Sequence, residues 1–373
     1  MLGVVERRGR GWVVGRVAGT RVVLRPGVAV VVGFVLVLLG PTIQRSRPDL
    51  GALAFVVAGG FAVVLLASVL LHELAHAAMA RRFGLDVHEI SMTLVGGHTE
   101  LGRTTTPGST ALIAVVGPLT NAAIAASAWG VLTLVPAGGV PALLALVTAS
   151  ANGFVALINL LPGLPLDGGR LLEAAVWRLT GRRRTGTHVA ARAGQVIAVL
   201  AVVLALAVPY LSGRRPDLVT VAWAALLGAL LWTGSGAFLR SAAHERAVET
   251  LVLWRLARPA PTLSVGATIA DLDAVGSPTA VLVDDDGAAI GYVEPVAAAE
   301  VPAEHRGATL VGSVAVRLPP GASVDGALTG AAAVRAVVEG ARVSPVMVIR
   351  GPGGTVYGLL RYLDVVNALQ RGS

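Results

Sequence analysis

Two histidines and a glutamate interrupt one of the most apolar stretches of the chain, the segment ASVLLHELAHAAMARRFG at residues 67–84. His72 and His76 are four residues apart, so on a helix they lie on one face and can offer ring nitrogens to one cation. Glu73 can reach a water molecule beside that cation without binding the cation itself. On a helix, His-Glu-x-x-His supplies two zinc ligands and a general base.

A polar cluster that only joins helices is the alternative interpretation of the same residues. In that case neutral histidines and the glutamate would form hydrogen bonds across a helix bundle. Ionisable residues within membrane spans are rare and usually functional, and three at metal-ligand spacing favour the metal site.

A catalytic zinc site needs a further ligand, since such sites usually have three protein ligands and one open position. The candidate segment is NLLPGLPLDGGRLLE, residues 159–173, where prolines break a helix and Asp167 follows in the turn. Neighbouring glycines let the backbone come close to a ligand. Asp167 is either the third ligand or the N-cap of a helix that begins near Gly168, and the spacing leaves both open.

Six apolar stretches are long enough to hold these residues inside a membrane, since a span needs about 20 apolar residues. They lie near residues 27–43, 52–80, 110–136, 140–161, 189–211 and 218–239. The histidines fall in the second stretch, roughly 8–13 Å from the arginines at its end. The sequence thus predicts a polytopic α-helical membrane protein with about six spans.

The distribution of arginine predicts the orientation of these spans. Residues 1–247 contain 21 Arg against 10 acidic residues, whereas residues 248–373 contain 9 against 12. An arginine-rich leader at residues 1–26 is expected to stay in the cytoplasm. The positive-inside rule then places residues 81–82, 162–188 and the C-terminal tail there too, so both termini are cytoplasmic.

Composition excludes several classes of partner and site. The arginines flank spans rather than lining a groove with interleaved aromatic residues, so no nucleic-acid partner is expected. The chain has no Cys, which excludes thiolate metal sites and disulfides. The chain has no Lys, so all 30 Lys-plus-Arg positions are Arg, and with abundant Ala, Gly and Val this indicates a GC-rich bacterial genome. The expected location is the plasma membrane.

The segment LDVHEISMTLVGGHTELGRTTTPG, residues 85–108, is neither a span nor an ordinary loop. It has strand-like stretches around Gly96 and Gly97. Irregular backbone at membrane depth is tolerated only where protein or a water-filled cavity covers it. A re-entrant hairpin and a plain cytoplasmic hairpin both remain open, and His98 is interpreted as a loop residue.

The tail predicts a soluble α/β domain with an internal duplication. TAVLVDDDGAAIGYV at residues 279–293 and SPVMVIRGPGGTVYGLL at residues 344–360 share a strand–turn–strand layout. A segment compatible with a helix precedes each of them. The two units are about 65 residues apart.

Three motifs in order, HELAH in the second span, GPLTN at residues 117–121 and NLLPGLPLDGGR after the fourth, resemble the site-2 protease family of intramembrane zinc metalloproteases. The similarity is greatest to the bacterial branch with a C-terminal pair of CBS modules. It implies a zinc metalloprotease domain at 27–240 and a tandem CBS-like domain at 248–373. It also implies that His72, His76 and Asp167 bind one zinc per chain and that Glu73 activates water.

The same resemblance assigns an asparagine upstream of the Pro-Leu-Asp-Gly segment to the substrate or the developing oxyanion. Asn159 matches that place, and Asn152 is a weaker candidate. For both, the alternative is a hydrogen bond between helices, worth about 1 kcal/mol.

CBS modules often hold adenine nucleotides in a shared cleft, with an Asp that accepts from the ribose hydroxyls. The second repeat offers Asp364 at that place, but the first repeat offers no equivalent, and Arg361 replaces the usual Ser or Thr. Nucleotide binding is therefore in doubt. A platform for homodimerisation or docking is the alternative.

The resemblance implies cleavage of a transmembrane or juxtamembrane segment of another membrane protein, such as a membrane-bound regulator of transcription. The alternative function is a metal or solute transporter with a midplane His/Glu/Asp site gated by the tail. Transporters more often repeat such clusters in both halves, and the sequence shows no second cluster. A catalytically silent scaffold is a third alternative.

Overall fold

The computed structural model describes residues 11–17, 19–93, 96–101 and 106–371. The chain divides into two compact units, and the boundary lies between Leu239 and Arg240.

Six helices within the described residues are long and apolar enough to cross a membrane. They are α1 Gly27–Ser46, α2 Leu53–Arg82, α3 Pro107–Leu132, α4 Val140–Asn159, α6 Arg183–Leu211 and α7 Leu218–Glu249, and the shorter α5 Asp167–Thr180 lies between α4 and α6. Helices suit a bilayer because they satisfy every backbone polar group internally. The prediction of a polytopic helical membrane protein is confirmed.

Local sequence sets where these helices begin and end. The Thr106 side chain caps α3 by accepting a hydrogen bond from the Ser109 N–H at 3.1 Å, and Pro107 occupies the first turn, where its missing N–H is not needed. Helix α5 ends at Gly181, whose φ of 69° is left-handed and favours glycine.

A four-stranded sheet lies beside the C-terminal end of α2, where the helix carries its two arginines. Its strands are β1 Trp12–Val17, β2 Thr20–Leu24, β3 Val87–Thr93 and β4 Gly96–Leu101, in the order β1-β2-β3-β4. Strands β2 and β3 are parallel, and the other pairs are antiparallel. The arginine-rich leader thus contributes two strands, which its composition did not indicate.

Hydrogen bonds join this sheet to the end of α2. The Arg81 guanidinium donates to the Val17 carbonyl at 3.5 Å and to the Thr20 hydroxyl. Within the sheet, Arg25 pairs with Glu89 at 3.4 Å. The hairpin β3–β4 is therefore held beside the helix that carries the two histidines.

The tail contains the predicted duplication as two β-α-β-β-α units. The first has β6 Thr262–Ser264, α8 Ile269–Ala274, β7 Val281–Val283, β8 Ala289–Val293 and α9 Pro295–Ala299. The second has β10 Ser323–Asp325, α10 Gly330–Ala341, β11 Val346–Arg350, β12 Val356–Arg361 and α11 Tyr362–Arg371. Two short strands, β5 Arg258–Pro259 and β9 Ala315–Arg317, complete two sheets in the orders β10-β11-β12-β5 and β6-β7-β8-β9.

Each tail unit has its own apolar core, and a third core joins the two sheets. Ile269 and Leu272 of α8 are buried in the first unit, and Val337 of α10 is buried in the second. Val281 of β7 and Val348 of β11 lie together in the shared core. The prediction of a C-terminal α/β domain is confirmed.

Candidate metal centre

Helices α2 and α5 bring three ligand atoms together in the compact unit that ends at Leu239. His72 Nε2 lies 3.0 Å from His76 Nε2, and Asp167 Oδ2 lies 3.1 Å from the first and 3.4 Å from the second. Both histidines are buried, each with 7% of its surface exposed. Within the described residues, these three side chains form the one group that could hold a metal ion.

The spacing of these atoms fits zinc. Zinc bonds of about 2.0–2.1 Å in a tetrahedron separate neighbouring ligand atoms by roughly 3.3–3.4 Å. The observed separations of 3.0, 3.1 and 3.4 Å approach those tetrahedral edges. Two imidazole nitrogens and one carboxylate also form a donor set typical of catalytic zinc.

The outward ring nitrogens of the two histidines have partners of their own. His76 Nδ1 donates to the Ile113 carbonyl at 2.6 Å, which leaves the Nε2 lone pair for a cation. His72 Nδ1 contacts Asn121 Oδ1. The Asn121 amide donates to Asn152 Oδ1 at 2.8 Å, and the Asn152 amide donates to the Thr148 carbonyl at 3.0 Å.

Asp167 is the first residue of α5, and its carboxylate contacts the two imidazoles. The structure places the N-cap at Leu166, without a side-chain cap. The N-cap interpretation therefore does not describe Asp167. The residue stands in the first helical turn and turns its carboxylate toward α2.

The non-helical segment between α4 and α5 is held in place by contacts with α6 and α7. Leu164 is fully buried; its N–H donates to the Ala190 carbonyl at 3.0 Å, and its carbonyl accepts from the Ser235 hydroxyl at 2.6 Å. The buried Glu173 of α5 accepts from Arg183 of α6 at 3.0 Å. These bonds hold both sides of Asp167, so its carboxylate has a defined place.

Gly117 lets α3 approach the histidines closely. A Cβ built at this position would lie 2.6 Å from His72 Nε2 and would also overlap His76 Nε2. Only a glycine leaves room for the two ring nitrogens here.

The remaining predicted residues occupy different places. Glu73 is buried beside His72, with 7% of its surface exposed. Asn159 is the last residue of α4 and is half-buried, and the described hydrogen bonds include none that joins it to the metal-ligand cluster. Asn152 is buried and bonded to Asn121. His98 lies in β4, and its side chain is outside the described residues.

Sequence reasoning assigned no role to Gly117 and Asn121, although both belong to the GPLTN segment. They are four residues apart on α3, and both are buried. The available signal was a glycine and an asparagine on one face of an apolar span, since polar residues there mark contacts with other helices.

Part of the chain is similar to known proteins. Residues 60–140 and 135–204 match the model of Peptidase family M50. "Putative zinc metalloprotease Rip3" of Mycobacterium tuberculosis is 44% identical over 176 residues, 46% of this chain and 43% of that protein. The alignment thus spans less than half the length of that relative.

A second relative aligns along nearly the whole chain. "Putative zinc metalloprotease sll0528" of Synechocystis is 26% identical over 365 residues, which cover 96% of this chain and 95% of that protein. Among solved structures, the site-2 protease from Methanocaldococcus jannaschii is similar, with a TM-score of 0.42 and 20% identity over 61% of this chain and 94% of that chain.

Proposed function

We propose that the protein is an intramembrane zinc endopeptidase of the site-2 type, because residues 60–204 match the model of Peptidase family M50. One observation carries the proposal. Two imidazole nitrogens and a carboxylate oxygen, all within 3.4 Å of one another, converge on one point beside the buried Glu73.

Each residue has a separate task in this proposal. His72, His76 and Asp167 would hold the ion, which when bound supplies a Lewis acid for water and for the scissile carbonyl. Glu73 takes the proton of the attacking water and passes it to the leaving amine. We keep Asn159, at the end of α4, as a proposed contact to the substrate or the oxyanion.

Strand β4 offers a place for the substrate backbone. A peptide bond inside a substrate helix is shielded by helical hydrogen bonds, so the helix must unwind before it is cut. In the described sheet β4 pairs with β3 on one side and forms the edge on the other. An unwound segment can add to such an edge as a further strand.

The proposed substrate is a transmembrane or juxtamembrane segment of another membrane protein, such as a membrane-bound regulator of transcription. Both termini are proposed to face the cytoplasm. A bacterial source is proposed because the two relatives are bacterial.

For the CBS-like tail we propose contacts between copies of this chain rather than an adenine nucleotide. The carboxylate of Asp364 lies 3.9 Å from the Arg258 guanidinium. The group that would accept a hydrogen bond from a ribose hydroxyl therefore already faces an arginine side chain. The first repeat has no such acid.

Replacement of Glu73 by Gln tests the proposed activity. The full-length protein would be co-expressed with single-span membrane proteins, and cleavage would be followed by immunoblotting. We expect cleavage to fall by about 10²–10⁴-fold, the usual contribution of a general base, while bound zinc stays stoichiometric. Glu300→Gln, at an exposed site in the tail, is the matched control and keeps full activity. Cleavage that survives Glu73→Gln would overturn the assignment.

A further inference from the structure

Three polar groups in series lead from the middle of α4 to the outer nitrogen of His72. Asn121 and Asn152 are each 1% exposed, so water does not compete for their amides. The Thr148 carbonyl accepts from Asn152 at 3.0 Å, Asn152 Oδ1 accepts from Asn121 at 2.8 Å, and Asn121 Oδ1 faces His72 Nδ1.

The end group fixes the direction of the whole series. The backbone carbonyl of Thr148 can only accept, so Asn152 must point its NH₂ group toward it. Asn152 then presents its oxygen to Asn121, and Asn121 must donate to that oxygen from its own NH₂ group. The Asn121 oxygen is left for His72, so His72 Nδ1 must be the nitrogen that carries the proton.

We propose that Asn121 and Asn152 are positioning residues that hold His72 in the Nδ1–H tautomer and keep its Nε2 lone pair directed at the metal. The inference rests on the proposed zinc function and adds to it. In a metal-bound histidine, the group that bonds to the other ring nitrogen normally sets the tautomer and the orientation of the ring. Here the tautomer of His72 is set by the Thr148 carbonyl of α4, through the side-chain amides of Asn152 and Asn121.

The series also gives Asn152 a different role from the one considered for it. Its amide donates to Thr148 and its oxygen accepts from Asn121, so both ends of the amide are engaged. Since Asn152 is 1% exposed, the neighbouring helices cover its amide and keep it away from an unwound substrate. Asn152 acts through Asn121 and does not touch the substrate.

Two measurements on the full-length protein in nanodiscs test this proposal. The first is zinc affinity, by competition with a chelator. The second is ¹⁵N NMR of the metal-free protein labelled at its 7 histidines, with the His72 signal assigned by its loss in His72→Asn. Ring ¹⁵N shifts distinguish the two neutral tautomers and do not depend on catalysis.

Asn121→Leu should weaken zinc binding by about 10–100-fold, the usual loss for such a partner, and should populate the Nε2–H tautomer of His72. Asn152→Leu frees the Asn121 amide to turn and should give a smaller change of the same kind. Asn152→Asp still offers an oxygen to Asn121 in either protonation state and should restore the wild-type result. Thr120→Val is the matched control, because the described hydrogen bond of that hydroxyl is to Val116 of its own helix, at 2.8 Å.

An unchanged His72 tautomer in Asn121→Leu would overturn the proposal. Equal zinc affinity in Asn152→Leu and wild type would overturn the part assigned to Asn152. Misfolding is distinguished by the recovery in Asn152→Asp and by the gel-filtration profile of each variant. If the wild-type protein binds no zinc, the proposed function fails, and the NMR comparison still decides the tautomer.

Discussion

Gly117 shows how much the metal centre depends on one missing methyl group. Its Cα faces both ring nitrogens, and an added Cβ would lie 2.6 Å from His72 Nε2. Neither histidine can withdraw easily, since His76 is bonded to Ile113 and His72 to Asn121. We expect Gly117→Ala to lower zinc affinity more than tenfold, with an overpacking loss of about 1–3 kcal/mol in the free energy of unfolding.

Gly130→Ala is the control for that substitution. Gly130 lies on the same helix, α3, and a Cβ there would meet nothing within 4 Å. Alanine is favoured over glycine in a helix by about 0.5–1 kcal/mol, so this variant should be as stable as wild type or slightly more stable. Wild-type zinc affinity in Gly117→Ala would contradict the close approach of α3.

At the level of elements, the apolar pattern predicted the spans and the tail repeat but not the contacts that hold the break before α5. Long apolar runs give spans because length alone sets whether a helix crosses a bilayer. The HELAH spacing likewise follows from helix geometry. By contrast, the bond from Ser235 to the Leu164 carbonyl joins residues 71 positions apart, and no local pattern encodes it.

The leader gives a second example of what sequence patterns leave out. Arginine content indicated where residues 1–26 lie, whereas their pairing with β3 depends on a strand more than 60 residues later. Strand register is set by partners as well as by the strand's own residues. The same reason explains why Gly117 and Asn121 were visible as a motif but acquired a role only beside the histidines.

Strand β4 is the element whose role is most directly testable. Gly97 pairs with Met92 of β3, and Pro at this position removes a backbone N–H and fixes φ. If β4 receives the unwound substrate, Gly97→Pro should abolish cleavage while bound zinc stays stoichiometric. Both would be measured on the same preparation, by immunoblot and by metal analysis.

Gly97→Ala keeps the backbone N–H and serves as the matched control for Gly97→Pro. It should retain most of the activity if hydrogen bonding along the edge is what matters. Full activity of Gly97→Pro would eliminate strand addition at β4 as the mode of substrate binding.

At the scale of the whole molecule, the two units differ in charge as well as in fold. The arginine excess belongs to the membrane part, and the tail is weakly acidic. If the six long apolar helices of the described residues all cross the membrane, the proposed topology places the leader and the tail in one compartment. Because arginine-rich connections favour the cytoplasm, the tail is expected there.

The absence of Cys from the sequence makes this topology directly measurable. Single cysteines at Ser46 and Ser212, at the ends of α1 and α6, should react with a membrane-impermeant maleimide in intact cells. A cysteine at the exposed Ser313 of the tail should react only after the membrane is permeabilised. Labelling of Ser313→Cys in intact cells would reverse the orientation, and it would place the metal centre, only a few helical turns from Arg81, near the opposite face of the membrane.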